Sequence, residues 1–484
     1  MNETVGLSAR RKAIILISCC LSLLIVSMDA TIVNVAIPAI RADLHASPSQ
    51  LQWVVDVYTL VLASLLILAG ASGDRFGRRR VFQIGLTVFA VASLLCSLAP
   101  NIETLIVARL LQAIGGSMMN PVALSIVSQI FTGRVERARA LGIWGSVVGI
   151  AMSIGPIVGG LLIETVSWRA VFWINLPICA AAIILTAVFV PETKSTTMRN
   201  IDPVGQLLAV LFLFGVVFAL IEGPALGWTH PRTLGAAVVA VVAFALFLRY
   251  ESRRHDPFID LRFFRSIPFS AATVTAVSAF AGWGAFLFMM SLYLQGERGY
   301  SAMQTGLIYL PIAIGALLFS PLSGRLVGRF GARPSLLIAG VMITAASAML
   351  TLLTGTTPVW EMLVVFTVFG IGFSMVNAPI TNAAVSGMPL ERAGAASAVT
   401  STSRQIGVSI GVALCGSVAG GALAGTSADF AAAARPLWLV CVGLGAVITA
   451  LALYSTSGRA MRSADRLAPL IAGDVVAHGA SRAA

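Results

Sequence analysis

Lysine is almost missing from this chain. It occurs only at Lys12 and Lys194, neither of them after a glycine, which removes the phosphate-binding loop an ATP-driven pump would need. Histidine is scarce as well: His45, His230, His255 and His478 all fall outside the apolar runs. The six cysteines (Cys19, Cys20, Cys96, Cys179, Cys415 and Cys441) sit inside apolar runs without any CxxC or metal-ligand spacing. They read as small buried hydrophobes, and an intramembrane enzyme has no nucleophile or metal cluster to work with. Charge of either sign is rare, 11% of 484 residues, where a soluble chain carries about 25%. That excludes an ordinary soluble protein.

What is there is hydrophobicity, 58% of the chain. A bilayer core about 30 Å thick needs roughly 20 apolar residues in a helix, and fourteen such runs are legible, from residues 13–37 to 432–455. The predicted fold class is therefore an all-α polytopic membrane protein. Outside loops hold only Arg41, Arg169, Arg232, Arg298 and Arg435 of the 32 Lys and Arg if the amino terminus is cytoplasmic. This positive-inside bias predicts both termini in the cytoplasm and an even number of spans. The net charge of +12 thus follows membrane topology; scattered between spans, it predicts no nucleic-acid partner. Arg10, Arg11 and Lys12 precede a run that continues through Asp29 to Pro38 without a small-residue cleavage site, so the run reads as the first span rather than a signal peptide. Arginine in place of lysine, with abundant Ala and Gly, suggests a high-GC bacterium.

An internal repeat divides the chain. GASGDRFGRR (Gly70 to Arg79) after the second span aligns without gaps with GRLVGRFGAR (Gly324 to Arg333) after the tenth: Gly70, Arg75, Phe76, Gly77 and Arg79 match Gly324, Arg329, Phe330, Gly331 and Arg333, while Asp74 has become Gly328. Each copy follows the second helix of a six-helix set. The expected domains are a cytoplasmic amino terminus (1–12), a six-helix bundle (13–190), a linker with two inserted helices (191–268), a second six-helix bundle (269–455) and a cytoplasmic tail (456–484). Duplicated halves of this kind point to a transporter, with a channel or membrane sensor as the more distant alternative.

Polar residues recur at helical spacing inside the spans. In the first span Ser18, Ser22 and Asp29 share one face, and Ser27, Thr31 and Asn34 nearly the opposite one. Gln52, Asp56 and Thr59 form a stripe in the second span, as do Arg109, Gln112, Gly116 and Asn120 in the fourth, and Ser397, Ser401, Arg404 and Gly411 in the thirteenth. Lipid would leave these groups unsatisfied, so they must face one another or a watery cavity. Asn34, Gln112, Asn120 and Arg404 are the cavity candidates. A carboxylate removed from water favours its protonated form, which makes Asp29 and Asp56 candidates to load and release protons, with Arg109 opposing this while close. The alternative for both acids is a structural ion pair with Arg109. WGSVVGIAMSIGPIVGG (Trp144 to Gly160) contributes Gly155, Pro156, Gly159 and Gly160, small and helix-bending residues that allow close backbone approach.

In this order the motifs resemble the major facilitator superfamily, specifically its fourteen-helix drug:proton antiporter group. MDATIVNVAIP (Met28 to Pro38) resembles that group's first-helix signature and WVVDVYTL (Trp53 to Leu60) its second. GASGDRFGRRR resembles the loop 2–3 gate, with Gly70, Asp74, Arg75, Gly77 and Arg78. ARLLQAIGGS (Ala108 to Ser117) resembles the helix 4 motif with Arg109 as its proton-relay arginine, although Ala113 replaces a usual glycine. GPIVGG (Gly155 to Gly160) resembles the antiporter motif of helix 5, with Ala151 where another glycine often stands. SWRAVFWINLP (Ser167 to Pro177) and SRQIGVSIG (Ser403 to Gly411) match the same group. The resemblance implies two six-helix bundles plus two inserted helices, and expulsion of hydrophobic, often cationic compounds from the cytoplasm in exchange for protons, without a cofactor or metal. Its expected partners are a drug-like small molecule, protons and the bilayer; oligomeric state is not legible. A natural-product exporter or a proton-coupled importer would share every motif. From Phe269 to Arg404 the only acids are Glu297, Glu361 and Glu391, at span edges or in loops. Any cationic substrate would therefore have to share Asp29 or Asp56 with the proton.

Overall fold

The computed structural model of the chain describes residues 8–131, 133–193, 202–254, 259–385, 390–424, 430–463 and 466. Its helices are α1 (Ala9–Leu44), α2 (Pro48–Phe76), α3 (Arg78–Ser97), α4 (Ile102–Ile130), α5 (Arg134–Thr165), α6 (Ala170–Trp173), α7 (Asn175–Phe189), α8 (Pro203–Leu226), α9 (Pro231–Glu251), α10 (Ile267–Leu292), α11 (Ala302–Ile308), α12 (Leu310–Phe330), α13 (Ala332–Leu350), α14 (Val359–Ser374), α15 (Asn377–Val385), α16 (Leu390–Ala424) and α17 (Phe430–Tyr454). The pairs α6–α7, α11–α12 and α14–α15 each make one broken rod, leaving fourteen rods among the described residues.

Twelve of these are long and apolar enough to cross a membrane. The other two, α5 and α16, are 32 and 35 residues long. Both begin with charged residues (RVERAR, LERAG) and continue into apolar runs rich in Gly, Ser and Thr. They also pack between helices of both halves, so neither needs an apolar circumference. Most boundaries are set by local chemistry. Ser47 and Gln50 form a capping box ahead of α2 with Pro48 at its first position, Asn101 caps α4 through Thr104, and Ser301 with Gln304 repeats the box at α11.

The repeat read from sequence is visible as geometry. Gly77 ends α2 and starts α3 at φ +105°, and Gly331 ends α12 and starts α13 at φ +78°. Both need the freedom only glycine has. Within the first half α1 packs on α5, α2 on α4 and α3 on α7; within the second half α10 packs on α16, α12 on α14 and α13 on α17, the same pairs by position. The halves meet through α2 against α16 and α5 against α11 and α12.

Among the described residues the apolar joint between them lies mainly toward one end. At the end where α1 finishes, here the far end, one apolar cluster spans both halves, from Ile37, Leu51 and Trp168 to Phe286, Tyr293 and Ile308. At the near end the first half keeps its own cluster around Ile15, Phe82, Ile126 and Val190, and the second half another around Phe263, Phe269 and Ala396. Polar ties repeat this asymmetry: Gln295 Nε2 to the Val35 carbonyl (2.9 Å), Gln52 Nε2 to the Val412 carbonyl (2.6 Å), and Ser301 Oγ to Glu164 Oε2 (2.8 Å) all lie toward the far end.

The inserted α8 lies against both α2 and α16, while α9 packs on α8 and exposes Val238, Val241 and Phe244 outward. Trp283, Phe286 and Tyr293 are buried in the second half, where Trp283 stacks on Phe373 at 4.4 Å and Phe286 on Phe369 at 4.3 Å. They belong to its core.

Candidate functional site: a buried ion pair, a solitary acid and two glycine contacts

Asp29 of α1 and Arg109 of α4 are paired through Oδ2 and Nη1 with neither side chain more than 1% exposed. Nothing in the pairing is left half made. Gln112 Nε2 donates to Asp29 Oδ1 at 2.9 Å and Asn175 Nδ2 at 3.1 Å, while Arg109 Nη1 also reaches Gln112 Oε1 at 2.7 Å. Arg109 Nε donates to the Val54 carbonyl at 3.1 Å, and its guanidinium lies over the Tyr58 ring at 4.2 Å. Ser93 Oγ accepts from both Gln112 (2.9 Å) and Asn175 (3.3 Å). Five helices, α1, α2, α3, α4 and α7, thus converge on one charge pair. Such a pair holds only when its remaining donors and acceptors are met, and removing one partner typically costs about 3–5 kcal/mol.

Asp56 has the opposite environment. It is 0% exposed, and neither carboxyl oxygen has a hydrogen-bond partner. It faces α16, where the Ser409 hydroxyl stands beside its carboxyl group as a neutral neighbour, and Thr59 on its own helix turns its hydroxyl to the Asp56 and Val55 carbonyls. The expectation that Arg109 would face both acids therefore divides: it pairs with Asp29, as both readings given above allow, and not with Asp56. A buried ionised carboxylate without a counter-charge is very costly, and none stands beside Asp56 among the described residues.

The four cavity candidates also separate. Gln112 belongs to the Asp29 network rather than to a cavity, because at 0% exposure its amide is used up by Asp29, Ser93 and Arg109. Asn34 is 3% exposed, with its amide on the Ala30 carbonyl and Oδ1 unpartnered. Asn120 is half-buried with an unpartnered Oδ1. Arg404 is half-buried at the near end, donating to Thr381 Oγ1 at 2.8 Å and lying 5.9 Å from the Phe280 ring. The side chain of Ser397 lies outside the described residues.

The α2–α3 loop is clamped. Arg78 holds Asp74 at 2.6 Å, and Gly70 lies 3.6 Å, measured from a built Cβ, from Pro121 of α4. The clamp extends to the last turn of α7 and the segment after it: Arg78 N donates to the Thr193 carbonyl at 3.0 Å, Arg79 N to Glu192 Oε1 at 3.2 Å, and Arg79 Nη2 to the Ala187 carbonyl at 2.6 Å. Arg75 instead lies over the ring of Phe76. At the repeat-related Gly331 a built Cβ meets nothing within 4 Å among the described residues.

The antiporter-motif glycines face two ways. A Cβ on Gly155 would stand 2.2 Å from Thr31 Oγ1 and one on Gly159 2.7 Å from Ile32, both on α1. A Cβ on Gly160 would stand 2.4 Å from the Ala302 carbonyl, and one on Gly306 2.7 Å from the Pro156 carbonyl. This stripe is therefore both an intra-half contact and part of the closure between halves.

Sequence reading missed Asn175, Ser93, Ser409, Glu192 and Glu222. Asn175 and Ser409 were in view inside SWRAVFWINLP and SRQIGVSIG, but only the fold shows that one closes on Asp29 and the other stands beside Asp56. Glu222, on α8, accepts the Trp53 indole N–H at 2.8 Å.

A membrane transporter of duplicated six-helix sets is the class these features define. A profile of the Major Facilitator Superfamily matches residues 19–412, and the chain belongs to that family. It is 37% identical over 409 residues to the multidrug resistance protein Stp of Mycobacterium tuberculosis, covering 84% of this chain and 76% of that one. It is 38% identical to the tetracenomycin C resistance and export protein of Streptomyces glaucescens (83% and 74% covered) and 39% identical to the methylenomycin A resistance protein of Streptomyces coelicolor (81% and 82%). The solved structure of a mutant of the nucleoside transporter NupG superposes with a TM-score of 0.61 over 92% of this chain and all of that one. At 14% identity this likeness concerns the fold alone.

Proposed function

We propose that the protein exports hydrophobic drug-like molecules, cationic ones among them, across the cytoplasmic membrane in exchange for protons. The observation that carries this reading is the contrast between a fully partnered Asp29–Arg109 pair and a solitary, equally buried Asp56. One acid can be released only by changing the helix arrangement; the other is already free to take a proton or a cation. The names of the relatives, multidrug resistance and antibiotic export, support the substrate class.

With both termini in the cytoplasm, the joined far end is the outer one and the structure is inward-facing. Transport then alternates between this arrangement and one in which the α5–α11 and α2–α16 contacts open. A proton delivered to Asp29 neutralises it and deprives Arg109 of its counter-charge, loosening the tie among five helices. Coupling requires that bound substrate and this protonation disfavour each other, and linkage makes the effect reciprocal. One charge crossing 100 mV releases about 2.3 kcal/mol, enough for a gradient on the order of fifty-fold per proton.

A narrower reading, export of one natural product, is favoured by the tetracenomycin C and methylenomycin A relatives. A susceptibility panel of an efflux-deficient host expressing wild type or Asp29→Asn decides between them. Protection against several unrelated compounds that is lost in the variant supports drug export, protection against one compound supports the narrower reading, and no protection refutes both. Ethidium accumulation that rises when the gradient is collapsed marks export, whereas uptake that needs the gradient marks import.

A further inference from the structure

Arg404 is a charge without a counter-charge. It sits in the near half of α16, half-buried, and takes part in no ion pair among the described residues. Of the five N–H donors of a guanidinium, one reaches Thr381 Oγ1 at 2.8 Å; Nε is buried without a partner, and Nη1 is neither bonded nor enclosed. The acids that could answer it lie elsewhere. Glu297 and Glu361 stand at helix ends on the far side, and Asp260 is held by Arg262. Asp56 approaches Ser409, five residues on and therefore about 140° around α16. Glu391 precedes Arg404 on the same helix by a rise of roughly 20 Å.

Nor is this guanidinium turned to lipid. Helices α2, α8, α10, α15 and α17 surround α16, and every described side chain on it is buried or half-buried. Arg404 turns toward α10 and α15, where it lies 5.9 Å from the Phe280 ring and meets Thr381. The exposed side chains of α15 among the described residues are Thr381 and Asn382, both polar, where contact with lipid would call for apolar ones. This corner therefore faces water, and at the near end the apolar clusters of the two halves stand apart. Resting on the exporter reading and naming a substrate class for it, we propose that Arg404 and Thr381 hold the acidic group of an organic anion, a carboxylate, sulfonate or ionised phenol, entering from the cytoplasmic side. Charge complementarity selects that occupant. An anion gives the guanidinium the partner it lacks, in the paired geometry that matches an oxyanion; a cation is repelled, and a neutral ring leaves Nη1 as it is. The exporter is then not confined to cations.

The test is direct binding to the full chain in lipid nanodiscs, with the signal of empty nanodiscs subtracted and no transport required. The probes are anilinonaphthalene sulfonate and phenylnaphthylamine, which share their rings and differ by the sulfonate. The expected result is binding of the anion about tenfold tighter than of the neutral dye, a preference that disappears in Arg404→Gln. Thr381→Glu, which sets a carboxylate beside the guanidinium and so balances its charge within the fold, should abolish the preference as well; it decides alone if the glutamine variant does not fold. Equal affinities for the two dyes in the wild type, binding of neither, or a preference that persists in either variant would overturn the proposal. Those outcomes leave the exporter reading standing, since that reading is decided by ethidium efflux.

Discussion

Gly77 and Glu192 meet at the break between α2 and α3: a Cβ at residue 77 would lie 2.6 Å from Glu192 Oε1, so that carboxylate would have to move aside, at a backbone φ of +105°. A backbone strained in this region costs about 1–3 kcal/mol for any residue but glycine, and here a clash is added. Gly77→Ala should thus unlatch the α2–α3 loop and reduce transport several-fold, while Gly331→Ala, strained but unobstructed, should do markedly less. Efflux rates of the two variants at matched expression check this; equal losses would show that backbone strain alone matters and the Glu192 contact does not.

Arg109 makes its contacts with a planar fork that lysine lacks. Arg109→Lys retains the charge beside Asp29 but cannot also serve the Val54 carbonyl, Gln112 and the Tyr58 face. It should lower thermal stability in detergent less than Arg109→Ala, for which removal of a buried partner predicts about 3–5 kcal/mol, and yet abolish proton-coupled transport as fully. Retained transport in the lysine variant would mean that charge alone, not the geometry of the network, supports coupling.

At the far end, a side chain on Gly160 collides with the Ala302 carbonyl of the other half. Gly160→Leu should disfavour the closed far end and shift the population toward the opposite arrangement. Glu164 and Ser301, joined at 2.8 Å, report this directly when both are changed to Cys: the glycine variant should cross-link them far less than the unmodified background. Undiminished cross-linking would remove Gly160 from the closure.

Trp53 keeps its ring on Phe214 (5.5 Å) and Phe218 (6.1 Å) while donating to Glu222. Trp53→Phe loses only the hydrogen bond, expected to cost about 0.5–1.5 kcal/mol, and should leave the dependence of efflux on the proton gradient unchanged. A changed dependence would make Glu222 part of the coupling.

The sequence carried the architecture to a large extent because the membrane restricts the choice to spanning helices, and because the loop repeat marks the two halves with Gly77 and Gly331 at matching breaks. The buried pair was legible as residue types in Asp29 and Arg109, since charges inside apolar runs must find partners. Its completion by Asn175 and Ser93, and the separation of Asp56 from Arg109, were not legible, because helical periodicity fixes the face a residue occupies but not which neighbour that face meets. For the same reason Gln112 read as a cavity residue, and Glu192 read as part of a linker. The seating of α8 against α2 and α16, and of Glu222 on the Trp53 indole, exists only once the chain is packed.

Proton-driven drug flux in proteoliposomes containing wild type or Asp29→Asn is the most direct measurement of how the buried pair works. The side-chain amide of the variant keeps one acceptor oxygen, for Arg109 or for Gln112 but not for both, carries no charge and takes no proton, so the protein should fold, insert and bind substrate while an imposed pH gradient no longer drives substrate movement. Full gradient-driven flux in that variant would contradict the central claim that the Asp29–Arg109 pair couples protons to transport.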